Sequence, residues 1–374
     1  MARSSGPRCV GILTAGGDCP GLNAAIRGVA KAAISGYGMK VVGVCDGFRG
    51  LVENRMIELH HDSVSNILTA GGTILGTSRD KLHKMPMGGR VMDMTDVAAE
   101  NAERHQIDCL LCLGGGGTAN AAFKLSKRTG LPVMTLPKTI DNDIAETDTS
   151  FGYDTALGIA TEAIDRLHTT ATSHHRMIVV ETMGHTAGWL ALGAGVAGGA
   201  DVILIPELPY RLDVISEYLL ERRRHGKRFS IVVVAEGVHA VEEPAADDDA
   251  VGEETPEPAD AKAIHVVAEP TAHRITRQLQ QMTGTEARVT SLGHVQRGGS
   301  PSAADRVLCT RLGTTAAQLL ADGVHNVMVA IKGTETVPVE LEKVAGIRKT
   351  VPADHPLVES ARLVGTCLGD APAP

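Results

Sequence analysis

The sequence is poor in aromatic residues, with one tryptophan, four tyrosines and four phenylalanines in 374 positions. A core built from it must come from Val, Ile, Leu and Ala, the composition of an α/β enzyme with many tight turns. A surplus of positive charge is also missing. Thirty-six basic residues stand against forty-four acidic ones, a formal charge of −8, which gives no general attraction to nucleic acid or to an anionic membrane. Any phosphate must be met by local arginines and backbone amides. No run approaches the apolar length of a membrane helix. The start, MARSSGPRCVGILTAGGD, passes from a short polar leader into a strand without the apolar stretch of a signal peptide, so a soluble cytoplasmic protein is expected. A disulfide framework is lacking as well: seven cysteines are scattered through apolar segments and read as thiols. Cys109 and Cys112 form a C-x-x-C, but inside the apolar run IDCLLCLGGGG. There they behave as small buried hydrophobes. Without a second such pair or a nearby His pair, zinc is unsupported.

What the chain has in quantity is glycine, forty-two in all. CVGILTA (9–15) is an apolar strand, followed by GGDCPGLNAAIRGVAKAAISGYG, a glycine turn feeding a helix. Such a turn exposes backbone N–H groups to an anion at a helix N-terminus. It is neither G-x-G-x-x-G nor a P-loop, which argues against a dinucleotide oxidoreductase. MKVVGVCDGFRGL (39–51) supplies a second strand, so the opening is a βαβ unit on a parallel sheet. AGGTILGTSRD (70–80) is another glycine turn, ending at Arg79, a candidate phosphate clamp. IDCLLCLGGGGTANAAFKLSKR (107–128) repeats strand, four glycines and helix, with Thr118 as the expected N-cap. Three glycine-rich strand ends in one lobe point to an extended, multiply phosphorylated ligand.

The stretch PKTIDNDIAETDTSFGYDTA (137–156) follows the apolar run LPVMTL. It places Asp141, Asp143 and Glu146 beyond the carboxyl end of a buried strand, where open α/β sheets bind ligands. Thr139, Asn142 and Thr147 favour a turn and can orient a hydroxyl or a metal-bound water. A long helix is expected over 150–175, strands over 176–185 and 229–237, and a basic amphipathic helix around VISEYLLERRRHGKR. Residues 241–261 hold nine acids, three prolines and no base, and read as a solvated linker or flap. At this length two lobes with a sizeable core are expected.

Taken together, GILTAGGDCPGLNAAIRG, GGTILGTSR, PKTIDNDI, SFGYDTA, HHRMIVVETMG, VVAEG and LGHVQRGGSPSAADRVL resemble the bacterial phosphofructokinase family, in the family's order and over nearly the whole chain. The resemblance implies phosphoryl transfer from ATP, or in some members pyrophosphate, to the 1-hydroxyl of fructose 6-phosphate. It implies Asp141 as the base with Thr139 beside it, and Asp143 helping to hold Mg2+. It puts Gly16, Arg79, Gly115, Gly116, Gly117, Thr118 and Lys138 around the phosphoryl donor. Met183, Gly184, His185 and Glu236 would meet the sugar, and His294 and Arg297 its 6-phosphate. Arg176 and Arg288 would reach across from a neighbouring subunit, since an arginine fork holds phosphate bidentately. Arg27 matches a basic position of the family's effector pocket, and on its own reads equally as a solvated helix face.

The chain departs from the family pattern at two places. Gly116 stands where the family has an acid tied to the metal, and His185 stands where it has an arginine near the sugar. Loss of one charge-stabilising group costs several kcal/mol at a transition state. Gly117 goes with ATP as donor and Lys138 with pyrophosphate. ATP is the favoured reading, with pyrophosphate or a related sugar phosphate kept as alternatives, and a weakly active sugar-phosphate-binding regulator as an alternative of another class. The implied architecture is two α/β lobes with mainly parallel sheets flanked by helices, Rossmann-like in topology. A donor lobe takes 1–152 plus 296–346 and a sugar-phosphate lobe 153–295 plus 347–374. The lobes would assemble as a homotetramer or homodimer with shared active sites.

Overall fold

The computed structural model describes residues 6–243 and 269–370. The chain divides into two compact units, one of Met1–Ala156 with Arg297–Lys349 and the other of Leu157–Gln296 with Thr350–Pro374. The acidic stretch expected as a linker or flap lies, from residue 244 to 261, outside the described residues.

In chain order the strands are β1 (Cys9–Thr14), β2 (Lys40–Val44), β3 (Met56–Leu59), β4 (Met85–Met87), β5 (Arg90–Met92), β6 (Cys109–Gly114), β7 (Val133–Thr139), β8 (Phe151–Gly152), β9 (Met177–Thr182), β10 (Val202–Leu204), β11 (Ser230–Ala235), β12 (Ala287–Ser291), β13 (Val327–Lys332) and β14 (Glu335–Glu340). The helices are α1 (Leu22–Lys31), α2 (Gly47–Val52), α3 (Thr95–Arg104), α4 (Gly116–Thr129), α5 (Tyr153–His174), α6 (Trp189–Ala197), α7 (Leu212–Arg224), α8 (Thr271–Thr283), α9 (Ala303–Ala321) and α10 (Pro356–Leu363).

The first unit carries a sheet in the order β14-β13-β7-β6-β1-β2-β3, with β8 paired to the end of β7. Its centre is parallel, and only the outermost pairs, β2 with β3 and β13 with β14, are antiparallel. CVGILT, CLLCLG and VMTLPKT are buried along their whole length, as strands must be when helices cover both faces of a parallel sheet. Edge strand β14 has no fully buried residue. Pro137 has no N–H to give a ladder. It is tolerated in β7 because β13 pairs with Met134 and Thr135, while β8 takes over only at Lys138 and Thr139. The second unit carries a parallel four-stranded sheet, β10-β11-β9-β12.

Two local expectations change. The first helix does not run unbroken to Gly36: α1 ends at Lys31 and one π-helical turn, Ala32–Gly36, follows. Thr118 is not an N-cap. Helix α4 begins at Gly116 with Gly115 as its N-cap and no side-chain cap, and the buried Thr118 hydroxyl donates instead to Ala15 O at 3.4 Å.

Candidate active site

In the first unit, loops leaving β1, β6 and β7 at their carboxyl ends meet. After β1, Gly16 adopts φ 86°, a left-handed value that suits glycine. Its N–H donates to Ser78 O at 2.9 Å and its carbonyl accepts from Thr77 Oγ1 at 2.7 Å. The loop that ends in the exposed Arg79 is thereby sewn to the β1 turn. After β6, Gly115, Gly116 and Gly117 open α4 with free space around Gly116 and Gly117: a Cβ at either would meet nothing within 4 Å.

Lys138, the next-to-last residue of β7, is buried. Its ammonium donates to Gly17 O and would lie 3.5 Å from a Cβ on Gly16. It therefore braces the first glycine turn from beneath. Burial pushes the Lys138 amine down, and the nearby Arg297 adds to that effect, while Asp141 and Asp143 act against it. Arg297 comes from the first residue of the unit's returning segment, and its Nη1 would stand 2.9 Å from a Cβ on Gly17.

Thr139 ends β7 and interlocks with Asp141. The Thr139 hydroxyl accepts from Asp141 N at 3.0 Å and reaches Asp141 Oδ2 at 3.2 Å. The turn continues through Asn142 at φ 52°. The Asn142 amide oxygen accepts from Ser150 N and from Lys349 Nζ, each at 3.1 Å. Asp143 is 17% exposed and lies 3.6 Å from Arg348 Nε. Glu146, the third carboxylate of this stretch, pairs with Lys332 at 3.3 Å and is exposed. Thr147 is likewise spent on the fold, donating to Thr149 O and accepting from Ile331 N. Among the described residues no three His, Cys, Asp or Glu side chains gather as a ready-made metal cage. Two carboxylates on one turn, Asp141 and Asp143, suit a hard divalent cation that takes its remaining oxygens from water and phosphate.

The remaining expected residues sit in the second unit, except that Arg297 ends the 3₁₀ turn Gly293–Arg297, which also carries the exposed His294. Met183, Gly184 and His185 leave β9, and Glu236 leaves β11. The Glu236 carboxylate accepts from His185 N at 2.7 Å and Glu236 N donates to Thr182 O at 3.0 Å. Gly184 is at φ 146°, where a Cβ would be 2.6 Å from Ala187 O, so no other residue fits. His185 takes φ 54° and its ring faces its neighbour, with Nδ1 3.4 Å from Thr186 Oγ1. Arg176 and Arg288 flank one carboxylate: Arg176 Nε donates to Glu286 Oε2 at 2.9 Å, and Arg288 Nη2 donates to Glu286 Oε1.

Sequence reasoning missed Arg348 and Lys349. Lys349 Nζ donates to Asn142 Oδ1, Thr147 O and Asp148 O at 3.1, 2.9 and 3.0 Å. Burial lowers its amine to about 8. Nothing in the string IRKT signals a contact with a turn some two hundred residues earlier. Glu207 was also missed; it accepts from Gly188 N and from Val351 N and supports the loop after His185.

Fold and site define an α/β protein with anion-type glycine turns beside a carboxylate turn at the ends of a parallel sheet. A family model described as Phosphofructokinase matches residues 9–320. The chain is 56% identical over 370 residues, covering 96% of it and 99% of its relative, to an ATP-dependent 6-phosphofructokinase of Propionibacterium freudenreichii subsp. shermanii. It is 51% identical, covering 97% and 98%, to one of Spirochaeta thermophila. A solved phosphofructokinase from Saccharomyces cerevisiae is 30% identical with a TM-score of 0.74, covering 90% of this chain and 45% of that longer one. The chain belongs to the phosphofructokinase family. None of its helices among the described residues is long and apolar enough to cross a membrane.

Proposed function

We propose that this protein is an ATP-dependent 6-phosphofructokinase, moving the γ-phosphoryl group of ATP to the 1-hydroxyl of fructose 6-phosphate. The observation that carries the reading is the Thr139–Asp141 pair at the end of β7, beside the glycine turns of β1 and β6, in a chain 56% identical to a relative of that name. Asp141 takes the proton of the 1-hydroxyl as its oxygen bonds to the γ-phosphorus, and the bond to the β-phosphate oxygen breaks to release ADP. Thr139 orients that carboxylate and the sugar hydroxyl. Gly115 to Thr118 and Arg79 receive the donor phosphates through backbone N–H groups and one guanidinium, with Gly16 shaping the turn beside them, which is most of what phosphoryl transfer asks of a protein.

Lys138 is better assigned to bracing the Gly16–Gly17 turn than to a direct contact with pyrophosphate, and the open space at Gly117 leaves room for a nucleotide. Met183, Gly184, His185 and Glu236 are assigned to the sugar, and His294 and Arg297 to its 6-phosphate, with Arg176 and Arg288 serving a neighbouring chain in a dimer or tetramer. A divalent cation, Mg2+ in this reading, would be held by Asp143 with Asp141 and would supply positive charge to the donor phosphates. Seven thiols kept from pairing agree with a cytoplasmic setting.

The test is turnover of purified protein with fructose 6-phosphate, Mg2+ and either ATP or pyrophosphate. Fructose 1,6-bisphosphate and ADP are expected with ATP, and chelation by EDTA should stop the reaction. Saturable sugar-phosphate binding without turnover on either donor would sink the reading in favour of a regulatory homologue. Turnover on pyrophosphate alone would reverse the donor assignment.

A further inference from the structure

The turn from Thr139 to Ser150 is pinned at its two ends, by the Thr139–Asp141 pair and by Ser150, whose N–H reaches Asn142 Oδ1 and whose hydroxyl donates to Thr139 O at 2.8 Å. Asn142 and Glu146 both sit at left-handed φ values, 52° and 62°, which cost energy for residues with a side chain and persist only where the surroundings enforce them. Two neighbours in the first unit hold the rest of it: the end of β13, where Ile331 N donates to Thr147 Oγ1 and Asp148 N to Ile331 O, and a two-residue strap from the end of that unit, Arg348 and Lys349. Its backbone is stapled on, because Lys349 N donates to Asp143 O at 2.8 Å and Arg348 bridges Ile144 in antiparallel fashion. The Lys349 side chain then reaches under the turn to Asn142 Oδ1, Thr147 O and Asp148 O.

We propose that Lys349 is a positioning residue for phosphoryl transfer: its ammonium fixes the backbone turn on which Asp141 and Asp143 are mounted. An ammonium has three donors and no acceptor, and all three are spent here, each on a different point of the turn. One of the acceptors, Asn142, is the residue between the two carboxylates, and its amide oxygen also receives Ser150 N. The side chain thereby ties the first half of the turn to the second. A planar guanidinium cannot direct its donors to three points arranged around one nitrogen, and a thioether offers no donor. The Asp141 carboxylate stands 3.2 Å from the Thr139 hydroxyl, and its aim follows the backbone of the turn that Lys349 braces. A misplacement of about 1 Å in a reacting group costs on the order of 10²-fold in rate.

This inference rests on the assignment of Asp141 as the base, and two readouts keep the two claims apart. In steady-state kinetics Lys349→Met is expected to lower kcat by about 10²-fold while KM for ATP and fructose 6-phosphate changes little. Lys343→Met, which removes only an exposed pair with Glu340, serves as the control and should match the unaltered protein. Lys349→Cys alkylated with bromoethylamine, which rebuilds a lysine-like ammonium, should recover the rate, with the unaltered protein treated in parallel to account for its own thiols. If Lys349→Met does not fold, Lys349→Arg takes its place and should show the same split between kcat and KM. The second readout is amide hydrogen exchange over residues 139–152, which needs no turnover. Exchange there should accelerate in the variant while the rest of the first unit is unchanged. An unchanged kcat in an active protein, a loss that the rebuilt ammonium does not recover, or unaltered exchange over 139–152 overturns the proposal. Failure of the unaltered protein to turn over overturns the function instead and leaves the exchange result to decide Lys349.

Discussion

Asp141 is held by its own neighbour. The Thr139 hydroxyl takes Asp141 N and stands 3.2 Å from Oδ2, an arrangement that a neutral amide of the same shape would largely keep. Asp141→Asn should therefore leave the fold and KM for fructose 6-phosphate close to those of the unaltered protein. Its kcat should drop by about 10²–10⁴-fold, the usual yield of a positioned general base. Steady-state kinetics with ATP in excess measures both. A variant with near-normal kcat would move the base elsewhere. Gly116 poses the opposite question, since it lacks the carboxylate that the family resemblance implies for this turn. A Cβ there meets nothing within 4 Å, and the residue is outside the positive-φ set. An acidic side chain in the first turn of α4 is also favoured by the helix dipole. Gly116→Asp is expected to fold normally, to lower the Mg2+ concentration needed for half-maximal rate and to raise kcat. An unchanged or lower rate across an Mg2+ titration would show that the turn does not limit metal binding.

Elements were legible in the sequence to the extent that burial writes itself into a run of residues. CVGILT, CLLCLG and SIVVVA are strands buried throughout, and a parallel sheet follows from the glycine turns and helices between them. Cys109 and Cys112 are buried thiols of β6, and burial pushes Cys109 up to about 12. The glycine turns and the TIDND turn were legible for the same reason, as local strings at strand ends. What stayed hidden depends on distant partners. Thr118 looked like a cap because it is a threonine near a helix start, yet Ala119 N already donates to the Gly115 carbonyl, so α4 starts earlier. Glu146 reads as a companion of Asp141 and Asp143, and its pair with Lys332 could not be seen in the local string. Asp305 is the clearest case. It lies in the first turn of α9, and it is fully buried, accepting from Gly152 N and Thr155 N at 2.9 Å each and from the Thr155 hydroxyl. It thus ties the start of α5 to the start of α9. Asparagine has one acceptor oxygen and would turn an NH₂ group toward these donors. Asp305→Asn should cost about 1–3 kcal/mol, the cost of leaving a buried donor unpaired, measured as a lower unfolding midpoint. Burial holds the Asp305 carboxyl above its ordinary 3.8, with the three donors acting the other way. The native state therefore keeps this proton at pH values where the unfolded chain has lost it. The stability owed to Asp305 falls as pH rises through the window above 3.8, and the asparagine variant should flatten the slope there.

At the scale of the whole molecule the chain divides into two compact units, with crossings at 156/157, 296/297 and 349/350. The length and the repeated strand–turn–helix pattern carry that much, whereas the number of chains in the working assembly leaves no pattern in one sequence. Arg176 and Arg288 bear on it. Both pair with Glu286 within the second unit, and Arg288 is 57% exposed, so its guanidinium has surface to offer a neighbour's ligand. If these arginines complete the site of a second chain, two kinds of crippled chain can rescue each other. Asp141→Asn lacks the base in its own site, and Arg288→Ala lacks the guanidinium lent to its neighbour's. In a two-fold hybrid one site inherits both defects and the other inherits neither. Mixing the two variants under conditions that exchange subunits should restore about a quarter of the normal activity, with hybrids counted by mass from a tag on one chain. Verified hybrids that remain inactive would mean that each chain builds its site alone, and that Arg176 and Arg288 serve the second unit's own structure through Glu286.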